Sequence, residues 1–311
     1  MCRFSIIIPV YNTGEYLKKC LDSVFEQDFD DYEVIIVNDG STDNSEKIIN
    51  DYLKKYSNII YLNQKNSGLS MARNNGVLKA TGEYLLFLDS DDFYEKNILR
   101  NLNREIDDDY DVVRFQIQDV FPDGRVVKYS DLVFSGLNGF DSFKLLCLNH
   151  YVEVAWAYCY RREYWIENNY KYLDGTYHED FGLTPLVLIN SNLTKSIDVF
   201  GYNYFKRESS ITNGGNYDKI KKQADDFLIH FKFLKSEGSK ISGDLSVFYS
   251  YIANSVLIKA TTLKGKDYKK YIKELKRINA FDMLLDDSIG RKIKKILIKF
   301  SPKIYYRIVG K

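Results

Sequence analysis

Along the first 88 residues, short apolar runs alternate with helix-patterned stretches, and few folds accommodate that order. Phe4-Ser5-Ile6-Ile7-Ile8-Pro9-Val10 is a largely β-branched run closed by a proline, as at the end of a central strand. Residues 14–27 follow with Tyr16, Leu17, Leu21, Val24 and Phe25 at helical spacing. A second strand, Val34-Ile35-Ile36-Val37, runs into the turn Asn38-Asp39-Gly40-Ser41. Asp43, with Glu46 three residues on, predicts a capped helix reaching about residue 56. Residues 58–63 read as a third strand, 69–79 as a third helix and 83–88 as a fourth strand. Short links between alternating strands and helices imply right-handed βαβ units, so the expected class is α/β with a mostly parallel central sheet flanked by helices.

The fourth strand, Tyr84-Leu85-Leu86-Phe87-Leu88, stops abruptly at Asp89-Ser90-Asp91-Asp92. An apolar run of this kind fits a strand buried on both faces. Ligands of open α/β sheets bind beyond the carboxyl ends of such strands. If Asp89 and Asp91 continue the extended backbone, their side chains project to the same side. Two hard oxygen ligands there suit Mg²⁺ or Mn²⁺, which complete their shells with water and substrate phosphates.

After residue 110 the pattern loosens. Short strands are expected near 111–118, 125–129 and 153–160, with helical stretches near 139–148 and 180–190. From about 216 the chain reads as nearly all helix, which puts a soft boundary near residue 210. The region 216–285 carries no recognisable chemistry of its own and is expected to pack beside the site or to offer a partner surface. Cys2, Cys20, Cys147 and Cys159 show no metal-type spacing and read as free thiols of a reducing compartment. The first 25 residues do not read as a secretory signal, and no window approaches 18 consecutive apolar residues. A cytoplasmic or peripheral protein is expected.

Net charge is +1 but unevenly placed. Residues 291–311 hold eight basic residues and no acidic one, leaving 36 basic against 43 acidic before them. Ile293, Ile296, Leu297 and Phe300 recur at helical spacing within this tail, among Lys292, Lys294, Lys295 and Lys299. Basic amphipathic segments suit anionic membrane surfaces; the alternative is a helix packed on the body with a solvated basic face.

Four loop blocks occur in order: Pro9-Val10-Tyr11-Asn12, Asn38-Asp39-Gly40-Ser41-Thr42-Asp43, Asn66-Ser67-Gly68-Leu69-Ser70-Met71-Ala72-Arg73-Asn74 and Asp89-Ser90-Asp91-Asp92. Tyr177-His178-Glu179-Asp180-Phe181 adds a fifth. The series closely resembles the inverting family 2 glycosyltransferases of GT-A fold, particularly bacterial enzymes of polysaccharide biosynthesis. The resemblance makes 1–210 a nucleotide-sugar-binding and catalytic domain; the helical pattern sets off 211–288, and the charge pattern a basic amphipathic tail at 289–311.

It also implies residue roles. Pro9, Val10, Tyr11 and Asn12 shape the nucleotide pocket, largely through backbone. Asp39 receives the base and can accept from a uracil N3–H. Ser67, Gly68 and Ser90 belong to the donor pocket, and Arg73 faces the nucleotide. Asp91 coordinates Mn²⁺ or Mg²⁺, with Asp89 toward the ribose and metal-bound water. Asp92 is less tied to the site and is expected to cap a helix at 95–106. Asp180 is the expected general base, with Glu179 the less favoured partner of the pair. His178 is read as structural, with polarisation of that pair as the alternative. A weaker sixth match at residues 204–212 offers Lys206 and Arg207 for the diphosphate, or as a solvated basic turn.

The expected enzyme is thus a metal-dependent hexosyl- or N-acetylhexosaminyltransferase. It would use a nucleotide-sugar donor, UDP-linked by preference, and a saccharide acceptor. A lipid-linked acceptor at the cytoplasmic membrane face, as in capsule or O-antigen assembly, is the preferred form. A nucleic-acid partner is not expected. A sugar nucleotidyltransferase and a non-catalytic nucleotide-sugar-binding scaffold are the alternatives. No Gly-x-Gly-x-x-Gly follows the first strand, no P-loop motif occurs, and Gly182 stands where a zinc-protease helix needs its second histidine.

Overall fold

The computed structural model describes residues 2–106, 110–130, 132–147, 152–207 and 216–309. Strands β1 (Phe4–Val10), β2 (Tyr32–Asn38), β3 (Ile59–Asn63) and β4 (Tyr84–Phe87) are joined by helices α1 (Gly14–Phe25), α2 (Ser45–Leu53) and α3 (Leu69–Lys79). The four strands lie parallel in the order β3-β2-β1-β4. Every residue of β1 and β4 is buried, which is why both are almost purely apolar. The chain winds outward from β1 to β3 and then returns to the other side of β1. This reversal opens a crevice at the carboxyl ends of β1 and β4, where α/β proteins bind ligands.

The chain continues through β5 (Phe93–Tyr94), α4 (Ile98–Glu105), β6 (Val112–Val120), β7 (Val126–Tyr129), β8 (Phe134–Leu137), α5 (Gly139–Leu146), β9 (Tyr158–Arg161), α6 (Arg162–Glu167), α7 (Thr184–Ile189) and β10 (Thr194–Phe205). Among the described residues the sheet order is β3-β2-β1-β4-β9-β6-β10-β5, with β7 on β6 and β8 on β10. β9 runs antiparallel to both β4 and β6. The sheet is therefore parallel through its first four strands and mixed beyond them. Helices α8 (Tyr217–Gly238), α9 (Ser246–Ala260), α10 (Gly265–Arg277), α11 (Ile289–Phe300) and α12 (Pro302–Ile308) follow. No helix among the described residues is long and apolar enough to cross a membrane.

Local capping departs from expectation at two helices. α2 starts at Ser45, and Asp43 does not form a capping box with Glu46. Its carboxylate instead accepts from the Ser45 N–H (3.0 Å) and from the Gly14 N–H (2.8 Å), fastening the starts of α1 and α2 together. α4 begins only at Ile98, after Asn97 in the left-handed region, so Asp92 is not its cap.

Helix α3 lies close on β1 because Gly76 faces the sheet. A Cβ there would fall 2.5 Å from Ile7 Cγ2, and Ile7 is itself fully buried. The same helix carries Arg73, so this contact sets how deep that guanidinium sits. Gly76→Ala should lower stability by about 1–3 kcal/mol, the usual cost of overpacking, in chemical denaturation.

Candidate active site

The crevice is built from loops bound to one another before any ligand is considered. The Asp39 N–H donates to the Val10 carbonyl (2.8 Å), and the Asn12 N–H donates to Ser41 Oγ (3.1 Å). Asn12 takes a positive φ of 51°, which lets its side chain turn back and accept from the Thr42 N–H at 2.7 Å. The Asp39 carboxylate accepts from Gln64 Nε2 (2.7 Å), the Ser67 N–H (2.8 Å) and the Gly68 N–H (2.8 Å). It therefore holds the loop before α3 onto the end of β2. Two acceptor positions per oxygen leave one open on Oδ2. Tyr11 stands half-exposed at the rim.

The acidic segment after β4 does not continue as strand. β4 stops at Phe87, and the Asp92 N–H donates back to the Asp89 carbonyl (2.9 Å), closing a turn. The premise of one extended run with side chains alternating is thereby corrected. Each carboxylate of the turn has its own partner. Asp89 Oδ1 accepts from Arg73 Nη2 at 2.6 Å, and Asp91 pairs with Arg207. Asp92 is buried, accepting from Tyr202 Oη (2.7 Å) and from the Phe205 N–H (2.8 Å). It thus pins the end of β10 beside the turn and brings Arg207 within reach of Asp91. Burial, aided by the Asp89 charge, pushes the Asp91 carboxyl above the usual range against the pull of Arg207. Burial raises Asp92 further, with Asp91 and Asp89 adding to it.

Arg73 lies only 2 % exposed at the centre of the arrangement. Its two terminal nitrogens pair with Asp89 and with Glu179, and its guanidinium lies over the Tyr172 and Phe87 rings at 5.5 and 5.9 Å. Arg73 is thus an internal brace joining the turn after β4 to the loop before α7. Asp180, next to Glu179, is partly exposed, and its Oδ1 accepts from the Phe181 N–H at 2.8 Å. Burial, reinforced by the Glu179 charge and opposed by Arg73, raises the Asp180 carboxyl well above its ordinary value.

Helix α8 backs this loop. The Tyr177 N–H donates to Asp226 Oδ2 (3.0 Å), His230 Nε2 lies 2.9 Å from the Tyr177 carbonyl, and Phe181 stacks on Phe227 at 4.6 Å. The region read as lacking chemistry therefore supplies the seat of the acidic pair. Asp226 and His230, one helical turn apart, lie near Phe227 and Phe231 in the sequence, and that polar pair was the available signal. His178 adopts φ +58°, sets its ring on Phe227 and has Lys259 Nζ at 3.4 Å. Burial and the Lys259 charge bring its pKa down to about 4, so it is neutral at physiological pH and anchors to α8 and α9.

Other assignments separate in the same way. Ser90 is buried, and its hydroxyl accepts from Thr13 Oγ1 at 2.9 Å, so it ties the first and fourth loops together. Lys206 is held on the buried Asp119 carboxylate at 3.0 Å and over the Tyr204 ring at 4.0 Å. Arg207 of that basic pair reaches Asp91 in the acidic turn. The rest of the weak match, residues 208–212, lies outside the described residues. Gln64 and Tyr202, which bear on Asp39 and Asp92, were not anticipated and carry no local sequence signal.

Fold and crevice together define a GT-A glycosyltransferase framework. The family model for glycosyl transferase family 2 matches residues 5–168, more than half of the chain, and the chain belongs to that family. Its relatives include the uncharacterized glycosyltransferase YibD of Escherichia coli, 32 % identical over 217 residues. That match covers 68 % of this chain and 63 % of YibD, less than two thirds of the relative's length. Among solved structures, TarS 1–349 of S. aureus in complex with UDP-GlcNAc superposes with a TM-score of 0.61 at 23 % identity, covering 89 % of this chain and 92 % of that one. Mannosyltransferase PcManGT from Pyrobaculum calidifontis, in complex with GDP-Man and Mn²⁺, gives a TM-score of 0.56 at 13 % identity, covering 99 % and 86 %.

Two outcomes test the electrostatics. Because Asp180 binds its proton more tightly folded than unfolded, its ionisation destabilises the fold at neutral pH. Asp180→Asn should therefore raise the melting temperature at about pH 8, and the gain should shrink as pH falls through the raised folded pKa. It should vanish below the ordinary aspartate value of 3.8. Arg73→Ala should cost about 3–5 kcal/mol in denaturant melts, since it strands Glu179 and Asp89 without their counter-ion.

Proposed function

We propose that the chain is an inverting, metal-dependent glycosyltransferase that moves a sugar from a UDP-linked donor to a saccharide hydroxyl. We infer further that the acceptor is carried on a lipid at the cytoplasmic membrane face. The observation that carries the catalytic reading is the Arg73 brace. One buried guanidinium holds the donor-side Asp89 and the Glu179-Asp180 pair in one network. Such a network fixes the distance between a bound leaving group and a base. The UDP-GlcNAc bound by TarS supports the donor class.

The chemistry follows from the residues. The open lone pair of Asp39 Oδ2 suits a uracil N3–H, and half-exposed Tyr11 offers a ring face to the base. Asp89 and Asp91 fit a divalent cation: both are hard oxygen donors on the turn that follows β4, and a cation would offset the burial that raises the Asp91 carboxyl. Bound there, the cation would neutralise charge developing on the leaving diphosphate. Asp180 accepts the proton of the acceptor hydroxyl on its free oxygen, Oδ1 being engaged by the Phe181 N–H. The new C–O bond forms at the anomeric carbon as the bond to the diphosphate breaks on the opposite face, which inverts the configuration. The raised basicity of Asp180 favours that proton transfer at neutral pH.

A sugar nucleotidyltransferase would use similar carboxylates but release pyrophosphate in place of UDP. A non-catalytic scaffold would bind the donor without turning it over. Both are separated from the proposal by product analysis of UDP-sugar turnover with Mn²⁺. Asp180→Asn should reduce transfer by at least about a thousandfold while leaving donor affinity intact. Retention of most activity would remove Asp180 from the base role. Asp91→Ala should abolish the Mn²⁺-dependent part of donor affinity in titration calorimetry. In the wild type, the acid limb of the pH profile should lie above the ordinary aspartate range and disappear with Asp180.

A further inference from the structure

A helix with an apolar stripe normally buries it, and α11 does the reverse. At about 100° per residue, Ile289, Ile293, Ile296 and Phe300 fall within an arc of about 60°, and Ile298 lies opposite. Ile298 is the fully buried one. Ile289 is 78 % and Phe300 83 % exposed, with Ile293 and Ile296 each more than half exposed. The inward face is fastened by polar contacts. Lys295 Nζ reaches the Asp282 carbonyl and Asp286 Oδ2, both at 3.0 Å, and Lys299 Nζ reaches Asp282 Oδ1 at 2.7 Å. Ser301 and Pro302 then start α12, which is fixed by Lys303 Nζ on the Leu263 carbonyl (2.5 Å) and Tyr306 Oη on Asn254 (2.6 Å). Ile304 and Ile308, one turn apart, carry exposed apolar surface onto this second helix. Two consecutive helices are thus docked by one face so that their apolar side chains point outward.

The rim of the stripe is basic. Lys292 and Arg307 are exposed and have no carboxylate partner among the described residues. The sequence from 291 to 311 holds eight basic and no acidic residues, while the remainder carries an excess of acidic ones. We propose that α11 and α12 form a docking surface for anionic membrane lipid, with the Ile/Phe stripe entering the headgroup boundary and the lysine and arginine rim meeting lipid phosphates. The charge distribution decides against a second copy of the chain as occupant. A two-fold contact through this stripe would press each basic rim against its own image, whereas anionic headgroups neutralise it. They would also repel the acidic body and so orient the chain tail-first. The surface supplies the membrane contact that a lipid-carried acceptor requires, but it stands on exposure and charge and not on the transfer chemistry.

The test is flotation of the full chain with vesicles of phosphatidylcholine, with and without phosphatidylglycerol. Donor hydrolysis is measured on the same samples, so that loss of catalysis and loss of lipid contact are read separately. The wild type should float with phosphatidylglycerol vesicles, and Ile296→Ser/Phe300→Ser should lower that partitioning at least about tenfold. Lys292→Gln/Arg307→Gln should lower it by about tenfold or more on anionic vesicles only. Both variants alter exposed side chains, so melting temperature and donor hydrolysis should match the wild type. Equal flotation of wild type and Ile296→Ser/Phe300→Ser would overturn the proposal, as would no flotation of the wild type. Lipid-free self-association that the Ile296→Ser/Phe300→Ser change abolishes, without anionic vesicle binding, would assign the stripe to a second copy and also overturn it.

Discussion

The arrangement hangs on a single buried guanidinium. Arg73 is almost wholly removed from water, a state tolerated only when its charge is answered at close range. Asp89 and Glu179 provide the answer from two parts of the chain far apart in sequence. The pairing therefore does more than offset a desolvation cost. It sets the turn after β4 against the loop before α7, and hence Asp89 against Asp180. Close packing of α3 on β1 through Gly76 fixes the depth of the guanidinium, so backbone packing in the core is translated into distances in the crevice.

A second constraint comes from charge. Asp89, Asp91, Asp92, Glu179 and Asp180 cluster around two guanidinium groups, and burial raises the Asp91, Asp92 and Asp180 carboxyls. Carboxyls raised in this way beside specific charge partners mark a functional-site candidate. The Arg207–Asp91 pair answers part of that excess from the end of β10. Asp92 and Tyr202 make this possible by fastening β10 to the acidic turn. What reads along the chain as one acidic run is in space three carboxylates, each with partners of its own.

The helical region acts on the crevice from behind. Asp226, Phe227 and His230 of α8 hold both sides of the Tyr177–Phe181 loop, so the acidic pair is seated by residues to which the sequence pattern assigned no chemical role. At the other end of the chain, α11 and α12 invert the usual amphipathic logic and turn their apolar stripe to the outside. Helical spacing of Ile293, Ile296 and Phe300 reveals that a stripe exists. It does not reveal which way the stripe points, because that depends on the contacts made by Ile298 and the lysines.

By itself the sequence determined the βαβ order, the strands β1 to β4, the positions of the crevice loops and the family. These follow from local periodicity and from residue types that strand ends and turns require, all short-range information. Only the tertiary structure decided what the polar residues do there. Arg73, Ser90 and Lys206 are each bound to another protein group across a gap of sixteen residues or more. Asp92 belongs to β10 and not to α4. Such pairings depend on which loops the parallel sheet brings to one edge, and no spacing along the chain encodes a distance across the sheet.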